Sequence, residues 1–267
     1  MAPALPDRRR LDGRVALVTG VSRPVGIAAT VAQRFHDLGA TVVATGWSPH
    51  DAEMPWGEQP LDPLPFDVGR HDLEDPAAPR ALVDEVVELH GRVDIMAAVH
   101  ARSSHTSLDE VTAEELDRCW ATNVRSVVLL AQRFAQRHVS IPSSEPPVGR
   151  MLWFTSGQHI GPMDGEIAYA VSKGALHQMT RSIDHALSAS RIVANCINPG
   201  PVDTGYAHGD VHRTVAEMFP DRRWGTPDDV ANLAAFLVSD EGSWIRGQVI
   251  DSEGGFDRFA WHHVHEQ

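Results

Sequence analysis

Short apolar segments alternate with helical patterns along this chain, and this alternation is the feature that most constrains its fold. It predicts an α/β protein with one doubly wound parallel sheet of about seven strands and helices on both faces. The length of 267 residues and the 42% hydrophobic content suit one such core. The predicted strands are 15–18, 41–45, 64–66, 94–98, 151–155, 192–198 and 248–250, and the predicted helices are 28–38, 78–90, 113–138, 169–186 and 228–237.

Residues 13–257 are expected to form a single domain between a mobile N-terminal segment, 1–12, and a C-terminal tail, 258–267. Two stretches interrupt the alternation. Five prolines within 49–65 argue against a helix there, so we predict an irregular loop that covers either the adenosine end of a cofactor or the sheet. Residues 139–148, rich in proline and serine, are predicted to be a surface excursion.

A strand, a glycine-bearing turn and a helix follow one another near the start of the domain. The apolar run 14–19 ends at Gly20, the turn covers 21–28, and a helical pattern follows. Glycine lets a backbone approach a pyrophosphate, and a helix amino end offers free N–H groups to an anion. The segment therefore predicts a dinucleotide-binding unit, with a plain strand–helix turn as the alternative.

Ser156, Tyr169 and Lys173 form the pattern S-x12-Y-x3-K. Tyr169 and Lys173 are four residues apart on a predicted helix and share one face, where an ammonium favours the ionised form of a phenol. Ser156 ends an apolar run that reads as a buried strand. Together they supply a hydrogen-bond donor, a proton carrier and a cation, as carbonyl reduction requires. The alternative for Y-x3-K alone is a surface tyrosine beside a solvated lysine.

With these motifs in order, the chain resembles the short-chain dehydrogenase/reductase family, near the 3-ketoacyl-acyl-carrier-protein reductases. Gly26-Ile27-Ala28 resembles the family's G-I-G if the loop holds two extra residues and Pro24 lies at its tip. The resemblance implies a Rossmann-like fold, NAD(P)-dependent oxidation or reduction at a CH–OH group, and a homotetramer. It implies four catalytic residues, namely Asn123, Ser156, Tyr169 and Lys173.

The resemblance also implies where the cofactor and substrate bind. The expected cofactor-binding residues are Gly20, Ser22, Arg23, Gly26, Ile27, Thr45, Trp47, Ser48, Asp67, Val68, Ala98, Tyr169, Lys173, Pro199, Gly200, Val202 and Thr204. Among them, Asp67 and Val68 are placed after the third strand, at the adenine. The expected substrate pocket holds Gln158, His159, Met163, Pro201 and Tyr206.

The sequence favours NADP(H) over NAD(H). In the family an aspartate just past the second strand selects NAD, whereas this chain has no acid there before Asp51. Arg23 resembles the basic residue that pairs with a 2′-phosphate. Thr45 and Ser48 are expected to add hydroxyl donors, and Trp47 to stack on the adenine. A solvated loop charge is the alternative for Arg23.

One departure separates the chain from the family pattern. The family's N-N-A-G after the fourth strand is replaced by Ala98-Val99-His100-Ala101, so cofactor affinity or local rigidity is in question. This stretch supports one alternative, a nucleotide-sensing protein that has the same fold but does not turn over a substrate. A second alternative is a structural partner in a complex that uses helices 113–138 and 169–186. A 3-ketoacyl thioester is the default substrate by family analogy, with a cyclic ketone, a sugar or a polyketide left open.

Charge and composition exclude several functions. A formal net charge of -13 argues against nucleic-acid binding, and no apolar run is long enough to cross a membrane. The first residues lack the apolar core of a signal peptide, and Cys119 and Cys196 are predicted to be free thiols, so a cytoplasmic protein is expected. His262, His263 and His265 lack partners at metal-ligand spacing, and no metal is predicted.

Overall fold

The computed structural model describes residues 10–138 and 149–257. Within them, seven parallel strands form one sheet in the order β3-β2-β1-β4-β5-β6-β7. The predicted α/β doubly wound fold is therefore confirmed. The strands are β1 Val15–Thr19, β2 Thr41–Gly46, β3 Val68–Arg70, β4 Ile95–Ala98, β5 Gly149–Phe154, β6 Ile192–Asn198 and β7 Val249–Asp251.

Helices cover both faces of this sheet. They are α1 Ile27–Asp37, α2 Pro49–Glu53, α3 Ala78–His90, α4 Ala113–Trp120, α5 Ser126–Arg137, α6 Ile167–Leu187, α7 Gly209–Glu217 and α8 Pro227–Val238. A π-helical turn, Ala121–Arg125, joins α4 to α5, and 3₁₀ turns lie at Gly157–His159 and Ser188–Ser190. None of the helices in this described part of the chain has the length and apolar character needed to cross a membrane.

The core has two layers, one on each face of the sheet. Phe35 of α1 and Val230 of α8 pack on one face, while Leu82 of α3 and Phe134 of α5 pack on the other. Every residue of β1, β5 and β6 is buried, which explains why these strands read as continuous apolar runs rather than alternating ones. Burying such side chains contributes about 1.5–3 kcal/mol each to folding.

The strand order places a ligand crevice at the carboxyl edge of the sheet. From β1 the chain winds outward through β2 and β3, then returns to pair β4 with the other side of β1. Connections leave in opposite directions from β1 and β4, so a crevice opens between them. The glycine turn follows β1 at this edge, and Ser156 follows β5 there.

The structure corrects three sequence predictions. The third strand is β3 rather than 64–66, because Pro63 and Pro65 cannot donate to the ladder, whereas residues 68–70 pair with β2. The stretch 49–65 is not wholly irregular, since α2 begins at Pro49, a position where a helix tolerates proline. Helix 113–138 is interrupted by the π-helical turn, and α7 was not predicted.

Three predicted segments fall largely outside the described residues: the mobile segment 1–12, of which only 10–12 are described, the excursion 139–148, and the tail 258–267 with its histidines. The two cysteines are free, as predicted, and both are buried.

Candidate active site

A single cavity runs along the carboxyl edge of the sheet, with a volume of about 590 Å³. That volume lies in the range of cofactor and small-molecule sites, about 300–1,000 Å³. The cavity brings together the glycine turn, the end of β2, the loop after β4, the end of β5, α6 and the loop after β6. The predicted site residues that line it are Gly20, Ser22, Arg23, Gly26, Ile27, Thr45, Trp47, Ser156, Met163, Tyr169, Lys173, Pro199, Gly200, Pro201, Val202, Thr204 and Tyr206.

Tyr169 and Ser156 meet at one end of this cavity. Burial raises the pKa of the Tyr169 phenol, the Glu166 carboxylate raises it further, and a hydrogen bond with Ser156 lowers it. Lys173 Nζ lies 5.4 Å from the centroid of the Tyr169 ring and donates to the Phe154 carbonyl at 2.8 Å. Burial also lowers the pKa of Lys173, to about 8. The sequence predicts a lowered pKa for this phenol, whereas burial and Glu166 raise it, so the phenol is protonated at neutral pH.

Two residues predicted for the substrate pocket do not line the cavity. The Gln158 amide oxygen accepts from the Ser156 backbone N–H at 3.2 Å, so this side chain supports the strand end that carries the serine. His159 Nε2 lies 2.9 Å from Asp251 Oδ1, and its ring is 4.5 Å from that of His177. Gln158 therefore supports the strand end, and His159 is exposed outside the cavity.

Asn123 is fully buried in the π-helical turn and lies behind the cavity wall. Its amide oxygen accepts from the Arg102 backbone N–H at 2.7 Å, and its Nδ2 donates to the Arg102 carbonyl at 3.0 Å and to Ser172 Oγ at 2.8 Å. Ser172 Oγ in turn donates to the Tyr169 carbonyl at 2.7 Å. Asn123 thus ties the loop after β4 to the first turn of α6.

His100 occupies the stretch where the chain departs from the family pattern. His100 Nε2 faces the Thr122 carbonyl at 3.1 Å and Ser126 Oγ at 2.8 Å, while Nδ1 lies 2.6 Å from Thr19 Oγ1. A carbonyl only accepts, so Nε2 carries the proton and Nδ1 accepts from the Thr19 hydroxyl. Burial, with a smaller effect of Lys173, lowers the pKa of His100 to about 3. The neutral imidazole bridges β1 to the π-helical turn.

The glycine turn is packed tightly against this bridge. A Cβ on Gly20 would lie 2.6 Å from the His100 backbone nitrogen, and Gly20 has φ +88°, so only glycine fits. Pro24 lies in the turn that the Gly26 N–H closes onto the Arg23 carbonyl at 3.3 Å. Gly26 then serves as the N-cap of α1, whose amino end borders the cavity and offers backbone N–H groups to an anion.

Arg23 is engaged by three partners along the cavity wall. Its two terminal nitrogens lie 3.2 Å from the carbonyl and the hydroxyl oxygen of Thr204. Its Nε lies 3.6 Å from Asp51 Oδ1, and its guanidinium carbon is 4.9 Å from the centroid of the Trp56 ring. Asp51 and Trp56 also line the cavity, although the sequence analysis assigned neither to the site.

Arg102 fastens α2 to the domain. Its buried guanidinium lies 3.1 Å from the carboxylates of Glu53 on α2 and Glu115 on α4. His50 Nε2 accepts from the Ser103 backbone N–H at 3.0 Å. These contacts join residues far apart in sequence, so no local pattern could have revealed them.

Four residues expected to bind cofactor do not line the cavity. Ser48 donates to Glu58, Ala98 is buried in β4, and Asp67 and Val68 do not follow the third strand, because Val68 begins β3. The cavity is lined instead by His71, Asp72 and Leu73, which come directly after β3. The pair Asp72-Leu73, with a helical pattern after it, is the signal in the sequence that marks this position. A single cause, the misplaced third strand, accounts for this error.

Comparisons with known proteins agree with this geometry. The family model described as Enoyl-(Acyl carrier protein) reductase matches residues 20–257. An uncharacterized oxidoreductase, YjdA of Bacillus subtilis, is 36% identical over 92% of this chain and 97% of its own length. Versicolorin reductase stcU of Emericella nidulans is 30% identical over 93% of this chain and 97% of its own. A short chain dehydrogenase from Burkholderia cenocepacia, solved in complex with NADP, superposes with a TM-score of 0.77 at 31% identity, covering 92% of this chain and 98% of that one.

Proposed function

The chain belongs to the short-chain dehydrogenase/reductase family of oxidoreductases, and from that premise we propose that it reduces a ketone to a secondary alcohol with NADP(H). The observation that carries the proposal is that Ser156, Tyr169 and Lys173 line the same cavity, with Lys173 Nζ 5.4 Å from the centroid of the Tyr169 ring. A carbonyl oxygen bound there meets two hydroxyl groups at once. Donors placed where negative charge develops typically give the largest single catalytic contribution.

The nicotinamide cofactor, when bound along this cavity, would supply the hydride that the carbonyl carbon accepts. In our proposal Ser156 donates a hydrogen bond to the carbonyl oxygen, and Tyr169 transfers its phenolic proton to that oxygen as it becomes an alkoxide. The raised pKa of Tyr169 suits this direction, because it keeps the phenol protonated before transfer. Lys173, whose pKa of about 8 leaves it mostly charged at neutral pH, stabilises the phenolate that results. Asn123 is a positioning residue that holds α6.

The residues at the cavity wall fit a dinucleotide. The amino end of α1 at Gly26 suits the pyrophosphate, and the loop holding Pro199 and Thr204 suits the nicotinamide amide. Trp47 lies in the wall at the end of β2, and Arg70 stands 5.7 Å from its ring centroid, which adds a cation near the adenosine end. The NADP bound to the Burkholderia relative supports the same choice of cofactor for this chain.

The substrate end favours a compact, largely apolar ketone. Met163 Sδ lies 4.0 Å from Ser156 Oγ, and Tyr206 packs edge-on against Trp224 at 5.5 Å. Glu166 stands near enough to raise the pKa of Tyr169. A cyclic ketone fits these surroundings at least as well as the 3-ketoacyl thioester suggested by family analogy, and a relative named as a versicolorin reductase supports keeping it as the second candidate.

The test is a ketone panel assayed with NADPH and with NADH. It includes a 3-ketoacyl N-acetylcysteamine thioester, a bicyclic aromatic ketone and a ketose, with Tyr169→Phe as the matched control. We expect cofactor oxidation with at least one ketone, and product isolated as the secondary alcohol. Cofactor that binds with no turnover of any panel member would instead favour the nucleotide-sensing alternative. The His100 bridge weakens that alternative, because in the altered stretch on which it rested the imidazole joins Thr19 to Ser126.

We propose a homotetramer as the assembly. Trp120 on α4 and Val171 on α6 are about half exposed, as expected of apolar residues that pack against a second copy. Sedimentation equilibrium tests this, and a monomeric mass at micromolar concentration would contradict it.

A further inference from the structure

Glu166 brings a carboxylate to the substrate end of the cavity. It is the N-cap residue of α6, yet its side chain does not cap the helix and lines the cavity instead. The carboxylate is close enough to Tyr169 to raise the pKa of the phenol. The Glu166 backbone N–H donates to the Met163 carbonyl at 3.1 Å, and Met163 Sδ lies 4.0 Å from Ser156 Oγ. Glu166 therefore stands near both hydroxyl groups that would receive a ketone.

The loop after β4 borders the same end of the cavity. The Ile167 backbone N–H donates to the Thr106 carbonyl at 2.9 Å, which fastens that loop to the first turn of α6. His105, the residue before Thr106, also lines the cavity, and its Nδ1 lies 3.5 Å from Glu166 Oε1. The Glu166 side chain is one-third exposed, and that of His105 is about half exposed. This pair therefore lies at the mouth of the cavity.

The cations of the cavity wall are engaged away from Glu166. In the described part of the chain, the lysine and arginine side chains that line the cavity each have another partner: Arg23 has Thr204, Arg102 has Glu115, Arg118 has Glu74, and Lys173 has the Phe154 carbonyl. His105 carries a charge only when its imidazole is protonated. A partly buried charge is screened less than an exposed one, so the Glu166 carboxylate acts on a ligand that enters the mouth.

We propose that Glu166 is a specificity-determining residue for the substrate. It excludes ketones that carry an anionic group at the mouth of the cavity, and it favours ketones that place a hydrogen-bond donor there. An ammonium or a hydroxyl group donates to a carboxylate in a charge-assisted hydrogen bond, whereas a substrate carboxylate brings a like charge. The substrate class is thus a neutral or cationic ketone with such a donor. This assignment rests on the proposed function only in that a ketone binds beside Ser156 and Tyr169.

The experiment measures binding to NADPH-loaded protein with probes that cannot be reduced. The probes are 1-naphthols, which keep an oxygen for Ser156 and Tyr169 but have no carbonyl to accept a hydride. One set carries a carboxamide, a carboxylate or an aminomethyl group at ring carbon C6, and a second set carries the same groups at C7. Dissociation constants are determined by calorimetry at neutral pH for wild type and for Glu166→Gln.

A carboxamide and a carboxylate have nearly the same shape, so their affinity ratio isolates the effect of charge. In wild type we expect the carboxamide to bind at least about tenfold more tightly than the carboxylate in at least one set. The aminomethyl probe should also bind more tightly than the carboxylate. Desolvation penalises both charged groups, so their order reports the sign of the nearby charge. In Glu166→Gln the carboxamide-to-carboxylate ratio should fall to about threefold or less.

Two control variants separate this role from general effects of charge. Asp164→Asn removes one negative charge from the exposed turn before α6, outside the cavity, and should leave the ratio within about twofold of wild type. Glu166→Asp keeps the charge, and should keep the preference for the aminomethyl probe over the carboxylate. An unchanged ratio in Glu166→Gln, or a shift of equal size in Asp164→Asn, would overturn the proposal.

The wild-type protein gives a second readout if Glu166→Gln does not fold. A carboxylate probe that binds as tightly as the other two probes in both sets would contradict the assignment, and so would probes that do not bind at all. Binding in the expected order without reduction of any ketone would contradict only the reductase proposal. Ketone reduction without this order of affinities would contradict only the role of Glu166, so the two proposals can fail separately.

Discussion

The two ends of the cleft are built in different ways. At the catalytic end, Ser156 follows the buried strand β5, and Tyr169 and Lys173 lie on the 21-residue helix α6. At the adenosine end, the wall is the strap, which we define as residues 49–56. The strap has one helix of five residues and is held to the domain by side-chain contacts of Arg23 and Arg102.

This difference shows that the strap is held by fewer interactions than the catalytic end of the cleft. Backbone hydrogen bonds and a packed core fix the catalytic end, whereas a handful of ion pairs and ring contacts fix the strap. Segments with few buried apolar contacts open at lower free energy than core elements. Changes at the catalytic end should therefore alter turnover without binding, and changes at the strap should alter binding without turnover.

The sharpest test of the catalytic end is Tyr169→Phe, for which we expect the largest effect. Phenylalanine preserves the ring and removes the proton donor, so kcat should fall by about 10²–10⁴-fold, the range of general acid catalysis. The dissociation constant for NADPH should change less than about threefold, since the strap and glycine turn are untouched. Single-turnover kinetics and calorimetry measure the two quantities. Near-normal turnover would refute the role of Tyr169.

Arg102→Met is the corresponding test at the adenosine end, because Arg102 holds the strap to the domain. It leaves the carboxylates of Glu53 and Glu115 without their shared cation, and because both retain some solvent we expect a loss of about 2 kcal/mol in the free energy of unfolding. NADPH should also bind more weakly. Urea denaturation and calorimetry measure these effects.

Arg34→Gln is the control for Arg102→Met, because Arg34 on α1 pairs with Asp228 on α8 rather than with the strap, and is one-third exposed. Its stability change should stay below about 1 kcal/mol. Equal losses in both variants would show that the strap does not depend specifically on Arg102.

Regular periodicity made much of the scaffold predictable. Continuous apolar runs identified β1, β5 and β6 because both faces of those strands are buried, and the spacing of Tyr169 and Lys173 placed them on one helix face. Their place in one cavity follows from strand order, since carboxyl ends of parallel strands share an edge.

The adenosine end resisted prediction because long-range contacts built it. β3 is only three residues long and carries Gly69 and Arg70, so its apolar signal was weaker than that of the proline-flanked Leu64 and Phe66. The sequence has no acid after β2 before Asp51, but α2 folds Asp51 back beside Arg23. The sequence around Asp51 does not by itself show that the chain folds back to the glycine turn.

His100→Gln tests the bridge between β1 and the π-helical turn. Burial lowers the folded-state pKa of His100 to about 3, below the usual value of about 6.5, so the unfolded chain binds the extra proton first. Stability that is complete above pH 6.5 should therefore fall as the pH drops towards 3, by up to about 1.4 kcal/mol per pH unit from this residue. Glutamine keeps a donor and an acceptor and does not titrate. Urea denaturation from pH 7.5 to 5 should show a shallower loss in the variant, and identical slopes would contradict a neutral buried His100.

Trp56→Phe should have the smallest effect of these variants. It tests whether cofactor binding at the strap can change while turnover at the catalytic end does not. It removes the N–H that donates to Asp51 Oδ1 but keeps an aromatic face over Arg23. Loss of one hydrogen bond, about 1 kcal/mol, should weaken NADPH binding about fivefold through a less fixed strap. Turnover at saturating NADPH should match wild type, because Ser156 and Tyr169 are held by β5 and α6. A fall in that turnover would mean that the strap also orders the catalytic end, and the division between the two regions would not hold.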